Sequence, residues 1–438
     1  MGTSDITVTA LAVTPGIGHN AVKVTVVDPR GGAVPNIALD VVEVYASATN
    51  DRGPDGGLLA TKIDEGKDKA FHMALVEGST HYYWGRPRNR LGNYGDWFPS
   101  GATSGVACTV GFAASAGQAL INGKIVVSSA AGALTAAVKT LSGDNPSALN
   151  PVLVSFRSAT LTDATPVFRQ ITSALSLTLP STATGGFTAN DPSRVWWSLF
   201  DVGDGTVDLA ARNCSTSSKI FGMAEFGVAS TTAVSTAADN AGVFYTNSAL
   251  TSRPFRIAGY SEWSSGLATP GTWTDPTGNQ RFGPGVPLPG AEVQSQPNST
   301  STMSTFVADF PFDNTIPQSG EGSEQFSTGI TPASAVNLIE NEALVFMSSN
   351  GANNLILALF RDAEADALRT AAKGTTGQEP NGVLLRDRRR AGSSAARTFK
   401  VRAGGAGGAA TITINGVNAT AYFGGTFESS HVVRELMG

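Results

Sequence analysis

Apolar and polar side chains alternate at every second position through many short stretches of this chain. Residues 21–27 show it plainly: Val22, Val24 and Val26 fall on one face, Lys23 and Thr25 on the other. A period of two puts successive side chains on opposite faces of an extended strand, so such stretches predict half-buried strands. Within the first hundred residues the same rule predicts strands at 5–13 and 37–45, the latter with Leu39, Val41, Val42, Val44 and Tyr45 as core candidates. It predicts another at 67–75, carrying Phe71 and Met73, and an aromatic one from His81. Turn-forming residues separate them at Asp28-Pro29-Arg30-Gly31-Gly32, 50–57, Glu77-Gly78-Ser79 and 93–97. About seven short strands with turns between them predict a β-sandwich over residues 1–104.

The pattern resumes after a small-residue linker at 105–120. Strands are expected at 124–128, 134–141, 151–158 and 167–179, and at 194–200 with Trp196 and Trp197, whose hairpin partner is 206–211. Residues 253–263 carry Phe255, Ile257, Tyr260 and Trp263; beyond them Gly and Pro recur, ending in the run 282–290. That run is excluded from helix and is a poor central strand, because Pro lacks the donor a ladder needs. It is expected to be extended and packed, the stiff exit of a module spanning 121–290. Residues 291–303 read as a polar connector. A last module, 304–438, has strands expected at 305–312, 324–330, 338–346, 355–360, 396–403, 410–414 and 420–427. Residues 362–373 fit either one short helix or a polar strand pair broken by a loop, and the second is preferred. No repeat of fixed period emerges, which argues against a solenoid or propeller. The fold class expected is all-β, elongated and multi-domain: a sandwich followed by two antiparallel sandwich or jelly-roll-like modules.

Composition narrows the function. The chain has 438 residues, room for two to four domains, with 50 Gly and 22 Pro. Charged residues are 15%, against about 25% in a typical soluble domain, and the net charge is -5. Nucleic-acid binding is not expected, because phosphate contacts demand clustered Lys and Arg. The basic run Arg386, Arg388, Arg389 and Arg390 contains Asp387 and reads as a solvated loop. Cys108 and Cys214 form neither a disulfide framework nor a metal pattern. No apolar run approaches 18 residues, so membrane insertion is not expected. The N-terminal MGTSDITVTALAV lacks the pattern of a secretory signal, which leads to the expectation of synthesis in the cytoplasm.

Candidate chemistry is sparse. Asp201-Val202-Gly203-Asp204-Gly205 resembles a calcium loop superficially, but Gly203 and Gly205 stand where side-chain ligands belong, so a Gly-rich turn is expected. Of His19, His72, His81 and His431, only His72 and His81 are placed to meet across a hairpin. A glycosidase-like pair would be drawn from Glu225, Asp239, Glu262 and Glu321, and no spacing singles out two of them. Nucleophile-elbow, phosphate-loop and dinucleotide motifs are missing. The expectation is a chain with no catalytic residues, no metal and no cofactor. Binding residues are better sought among aromatics in Gly-rich loops, where a ring can stack on the apolar face of a sugar: Tyr94, Trp97 and Phe98, then Trp263 and Trp273. The alternative is that each ring closes its own small core.

The order GSTHYYWGR…NRLGNYGDW, with Tyr82 and Trp84 on one strand face, resembles the late strands of a fibronectin type III domain. More narrowly, YYWGRPRNRLGNYGDWFPSGATSGV is similar to such domains in tail-tip and fibre proteins of tailed bacteriophages. It departs from the pattern at Gly85, Pro87 and the charges of Arg86, Arg88 and Arg90. The stretches ALTAAVKTLSGDNPSALNPVLVSFRSATLTD and AGVFYTNSALTSRPFRIAGYSEWSSGLATPGTW resemble a β module of phage tail fibres, and the last 130 or so residues resemble a C-terminal fibre domain. The resemblance implies a structural and adhesive part of a phage tail, in the virion. It implies a homotrimer joined to other tail or baseplate proteins and facing a bacterial surface polysaccharide or protein receptor. The alternatives are a polysaccharide-degrading tail spike and a secreted bacterial carbohydrate-binding adhesin.

Overall fold

A computed structural model of the chain describes residues 6–15, 18–28, 32–33, 39–75, 79–110, 119–148, 150–160, 166–281, 285–407 and 410–438. The turn at 29–31, residues 77 and 78 of the next turn and the start of the Pro/Gly run at 282–284 lie outside them. The described residues are all-β apart from one short 3-10 turn, Phe423–Gly425. Among them no helix is long and apolar enough to cross a membrane. The chain is multidomain, with two compact units: residues 1–126, 137–176 and 201–208 form one; residues 127–136, 177–200 and 209–438 form the other.

In the first unit, alternation does what it predicts. Thr7–Pro15 pairs antiparallel with Asn20–Asp28, which also pairs with Gly32–Ala33 and Lys69–His72. A second sheet runs Thr61–Gly66, Leu39–Ser47, Thr80–Asn89, Val106–Thr109. Val22 and Val24 from one sheet meet Val42, Val44 and Tyr83 from the other in a single core, which makes the pair a sandwich. Phe71 and Met73 are exposed and contribute nothing to it. The same unit holds the hairpin of Val152–Arg157 with Pro166–Ile171.

In the second unit, a seven-stranded sheet is built around Ser193–Asp201, flanked by Arg253–Trp263 and Val207–Arg212. Ser193–Asp201 is buried at all nine positions, so its faces cannot be told apart by polarity. Trp196, Phe200, Phe255, Ile257 and Met437 form the core on this sheet.

The rest of the unit is a second sandwich. One sheet carries, in order, Glu292–Thr300, Ser429–Leu436, Leu338–Ser349 and Asn381–Arg390, with Ile412–Ile414 and Ser304–Phe306 added beside Leu338–Ser349. The other runs Ser323–Ile330, Arg397–Gly405, Asn353–Arg361, Arg369–Thr375. Val345, Met347, Leu357, Leu359, Val401 and Val433 close the core between them.

Three expectations change here, and the preferred reading of a fourth stretch holds. Residues 291–303, read as a connector, contain the strand Glu292–Thr300, whose backbone ladder to Ser429–Leu436 needs no hydrophobic alternation. The basic run is a strand, because Arg386 and Arg388 point outward to Glu342 and Glu340 while Val383, Leu385 and Asp387 point inward. Residues 420–427 are a two-residue strand and a 3-10 turn. Residues 362–373 become a turn followed by the strand Arg369–Thr375, the preferred alternative to a helix.

The second unit is tied together by one buried guanidinium. Arg194, 1% exposed, donates to Glu262 Oε2 at 2.8 Å, Asn337 Oδ1 at 3.2 Å and the Gly438 carbonyl at 2.7 Å, and lies over the Tyr260 ring. Asn337 Nδ2 passes the link to Glu435 Oε1 at 2.7 Å. Glu435, also buried, accepts from Ala333 N and Gln294 Nε2 as well. Residues 285–290 follow the same route: the Gly290 N–H donates to the Met437 carbonyl at 2.8 Å. Removing one partner of a buried ion pair strands the other in low dielectric, at a cost of about 3–5 kcal/mol. Arg194→Met is therefore expected to lower the urea stability of the second unit by that amount and to leave the first unit's transition in place. A change under about 1 kcal/mol would contradict this role.

Candidate functional site

The loop aromatics of the first unit come together, but around the protein's own cations. Arg86 lies 3.9 Å from the Tyr94 ring centroid and 4.7 Å from that of Trp97, and Arg52 lies 4.2 Å from that of Trp97. Trp97 Nε1 donates to Asp55 Oδ1 at 2.7 Å. Beneath them Glu43 is buried and accepts from Tyr45, Arg86, Arg88 and Tyr94. Burial pushes the Glu43 carboxyl up, but the Tyr45 hydroxyl, Lys62 and Arg86 outweigh it and hold it below its usual range. Arg86 and Arg88, two of the charges that depart from the fibronectin pattern, thus build a charge-braced face over Glu43, with Arg86 held among Tyr45, Tyr94 and Trp97. Phe98 is partly buried and packs on the sandwich core.

The second pair of candidates is interior. Trp263 is 1% exposed and Trp273 2%, and both rings pack on Phe187 at 5.5 and 5.0 Å. Their indole N–H groups donate to the carbonyls of Thr274 and Ala183. A buried ring with its one donor satisfied offers no plate to a ligand, so these two close a core instead of binding at the surface.

The carboxylates weighed for catalysis each brace a different segment. Glu225 accepts from the Ile257 N–H at 2.6 Å, Asp239 from Thr184 N, Glu321 from Gln318 N, and Glu262 pairs with Arg194. Asp201 grips Arg169 through both oxygens, and Asp204 turns the chain at Thr206, which makes the calcium-like stretch a braced Gly-rich turn. Among the described residues no group of three His, Cys, Asp or Glu side chains converges on a metal position.

His72 and His81 do meet, with ring centroids 5.0 Å apart. Tyr83 bridges His72 Nδ1 to the buried Asn20, and Ser79 reaches His81 Nε2. Burial, then the neighbouring His81, push the His72 imidazole down to about 4.

A concave site that sequence reasoning missed lies on the outer side of the C-terminal sandwich. Residues 310–317 cross the strands Asn353–Arg361 and Arg369–Thr375 and enclose about 460 Å³. Phe310 is the anchor: its N–H donates to the Gly405 carbonyl, and its ring sits where a Cβ on Gly322 or Gly404 would stand 2.4 and 2.9 Å away. Ile356, Ala367, Leu368 and Ala372 line it with Phe310, the rest coming from residues 311–317 and from Arg369 and Thr370. The only sequence sign was Pro311, which interrupts the alternation expected of a strand at 305–312.

No protein-family description and no curated protein matches this chain. Similar solved structures include the VP2 subviral particle of infectious bursal disease virus, at 11% identity over 74% of this chain and 77% of that chain, TM-score 0.18. Another is the insecticidal delta-endotoxin Cry8Ea1 from Bacillus thuringiensis, at 8% over 72% and 52%, TM-score 0.17. A third is the α-L-rhamnosidase from Dictyoglumus thermophilum, at 8% over 98% and 48%, TM-score 0.19. Likeness at this level carries no argument about function.

The His72 shift has a measurable sign. Its folded value lies below the unfolded value of 6.5, so the unfolded chain binds the proton first on acidification. Stability is complete above pH 6.5 and is lost as pH falls towards 4, by about 2 kcal/mol for a half-buried group. Urea titrations of the first unit across pH 4–7 are expected to show this slope, and His72→Gln to flatten it. An unchanged slope in the variant would contradict the assignment.

Proposed function

We propose that this chain is a structural and adhesive component of a bacteriophage tail, a fibre or tip appendage that contributes to attachment at the host surface. The observation that carries the proposal is the strand order of its two sandwiches. In the first, the first, second and sixth strands, Thr7–Pro15, Asn20–Asp28 and Lys69–His72, share one sheet; Leu39–Ser47, Thr61–Gly66, Thr80–Asn89 and Val106–Thr109 form the other. That division supports the fibronectin type III resemblance carried by Tyr82, Trp84 and their neighbours. In the last, eight long strands fall in the order first, eighth, third, sixth on one sheet and second, seventh, fourth, fifth on the other. This order supports a jelly-roll reading, two Greek keys in a double sheet, an architecture used in capsid and lectin domains.

A further support is the surface. Leu384, Tyr422 and Phe423 are exposed, and Phe423 and Phe427 stack towards Phe346 on the same sheet face. Exposed apolar groups in one place fit a protein that meets its own copies or other tail proteins. The trimer is tested by light scattering on the purified chain. Three copies of the 45.0 kDa chain give about 135 kDa, the expected mass. A monodisperse 45 kDa species at micromolar concentration would contradict the trimeric appendage.

A further inference from the structure

We infer that the depression beneath residues 310–317 is a saccharide-binding site. The inference rests on the adhesive reading above and gives it a ligand class and a location.

Its volume, about 460 Å³, falls within the roughly 300–1,000 Å³ of small-molecule sites. Its lining combines three chemistries that a sugar ring needs together. The first is an uncovered aromatic: Phe312 is 68% exposed at the rim, free to stack on the C–H face of a pyranose. The second is an acceptor. Asp313 Oδ1 takes both the N–H and the hydroxyl of Thr315, at 2.8 and 2.6 Å, which fixes the carboxylate and leaves Oδ2 uncommitted among the described residues. These bonds hold the group below the usual carboxylate range, so it is an ionised acceptor at neutral pH. The third is a donor. The Thr370 hydroxyl lines the depression from the same strand face as Ala372, and no protein partner holds it among the described residues. An acceptor and a donor in one depression match vicinal hydroxyls, each of which gives and takes a hydrogen bond.

Other ligands fit less well. A hydrocarbon chain would cover Asp313 and Thr370 without replacing their hydrogen bonds to water. A phosphate would face the Asp313 carboxylate. A divalent cation would find one carboxylate where several oxygen ligands are needed. The face of Trp97, by contrast, is already occupied by Arg52 and Arg86.

The test uses the full chain, fluorescently labelled, on an array of bacterial capsular and O-antigen polysaccharides and on intact cells of the array strains. Phe312→Ala and Asp313→Asn are exposed substitutions, checked for unchanged thermal midpoint, with Phe226→Ala, 73% exposed, as a surface control. The expected result is saccharide binding weakened at least tenfold by each of the first two and unchanged by the third. Equal binding by wild type, Phe312→Ala and Asp313→Asn overturns this site and leaves the adhesive reading intact. Binding to cells but to no saccharide overturns the ligand class. Binding to neither removes the adhesive reading and this site with it.

Discussion

A single buried cation organises the larger part of the molecule. Arg194 sits on a strand whose nine positions are all buried, where an unpaired charge would be untenable. It is stable there because Glu262 neutralises it, Tyr260 covers it, and Asn337 and the Gly438 carbonyl accept from its terminal nitrogens, while Nε has no partner among the described residues. The same Asn337 donates to Glu435, whose carboxylate collects the N–H groups of the 333–334 turn and the Gln294 amide. Five segments far apart in the chain are thereby held in one polar relay. Specificity is its contribution: the terminal nitrogens of Arg194 reach Glu262, Asn337 and Gly438 together in one register, which an apolar core alone does not enforce.

The two sandwiches use charge differently. In the first unit the network is on the outer sheet face, where Glu43 sits under Arg86 and Arg88 and the aromatic loop folds over them. Those ion pairs keep a basic strand from repelling itself and convert loop aromatics into covers for cations. In the last sandwich Arg386 and Arg388 pair across the sheet with Glu342 and Glu340, while the concave face under residues 310–317 keeps Asp313 and Thr370 available. The first unit spends its aromatics on itself, and the last leaves Phe312 uncovered.

Period-two alternation made most strands legible, including 21–27 and 324–330, because one face of each is solvated or nearly so, while 355–360, buried throughout, was legible as a continuous apolar run. It failed where the physics differs. Glu292–Thr300 is held by a backbone ladder and shows no apolar alternation. Asn381–Arg390 hides its inward Val383 and Leu385 among arginines, which read locally as a loop. The candidate rings divided for a related reason. Trp263 and Trp273 stand in Gly-rich sequence, but Phe187, seventy-odd residues earlier, folds against both. Glu435 is buried at the end of the chain because its partners lie up to about 140 residues away, which no local pattern reveals. Phe312 was read as the end of a strand, because nothing local reveals that Phe310 plugs the gap left by Gly322 and Gly404.

The relay makes a direct claim about cooperativity within the second unit: the central sheet and the C-terminal sandwich share one unfolding event. Hydrogen exchange followed by mass spectrometry in rising urea reads it peptide by peptide. Amides of Ser193–Asp201, Arg253–Trp263, Leu338–Ser349 and Ser429–Leu436 are expected to lose protection at one common midpoint. Loss of protection in Ser193–Asp201 and Arg253–Trp263 at a clearly lower urea concentration, with Leu338–Ser349 and Ser429–Leu436 still protected, would contradict the account.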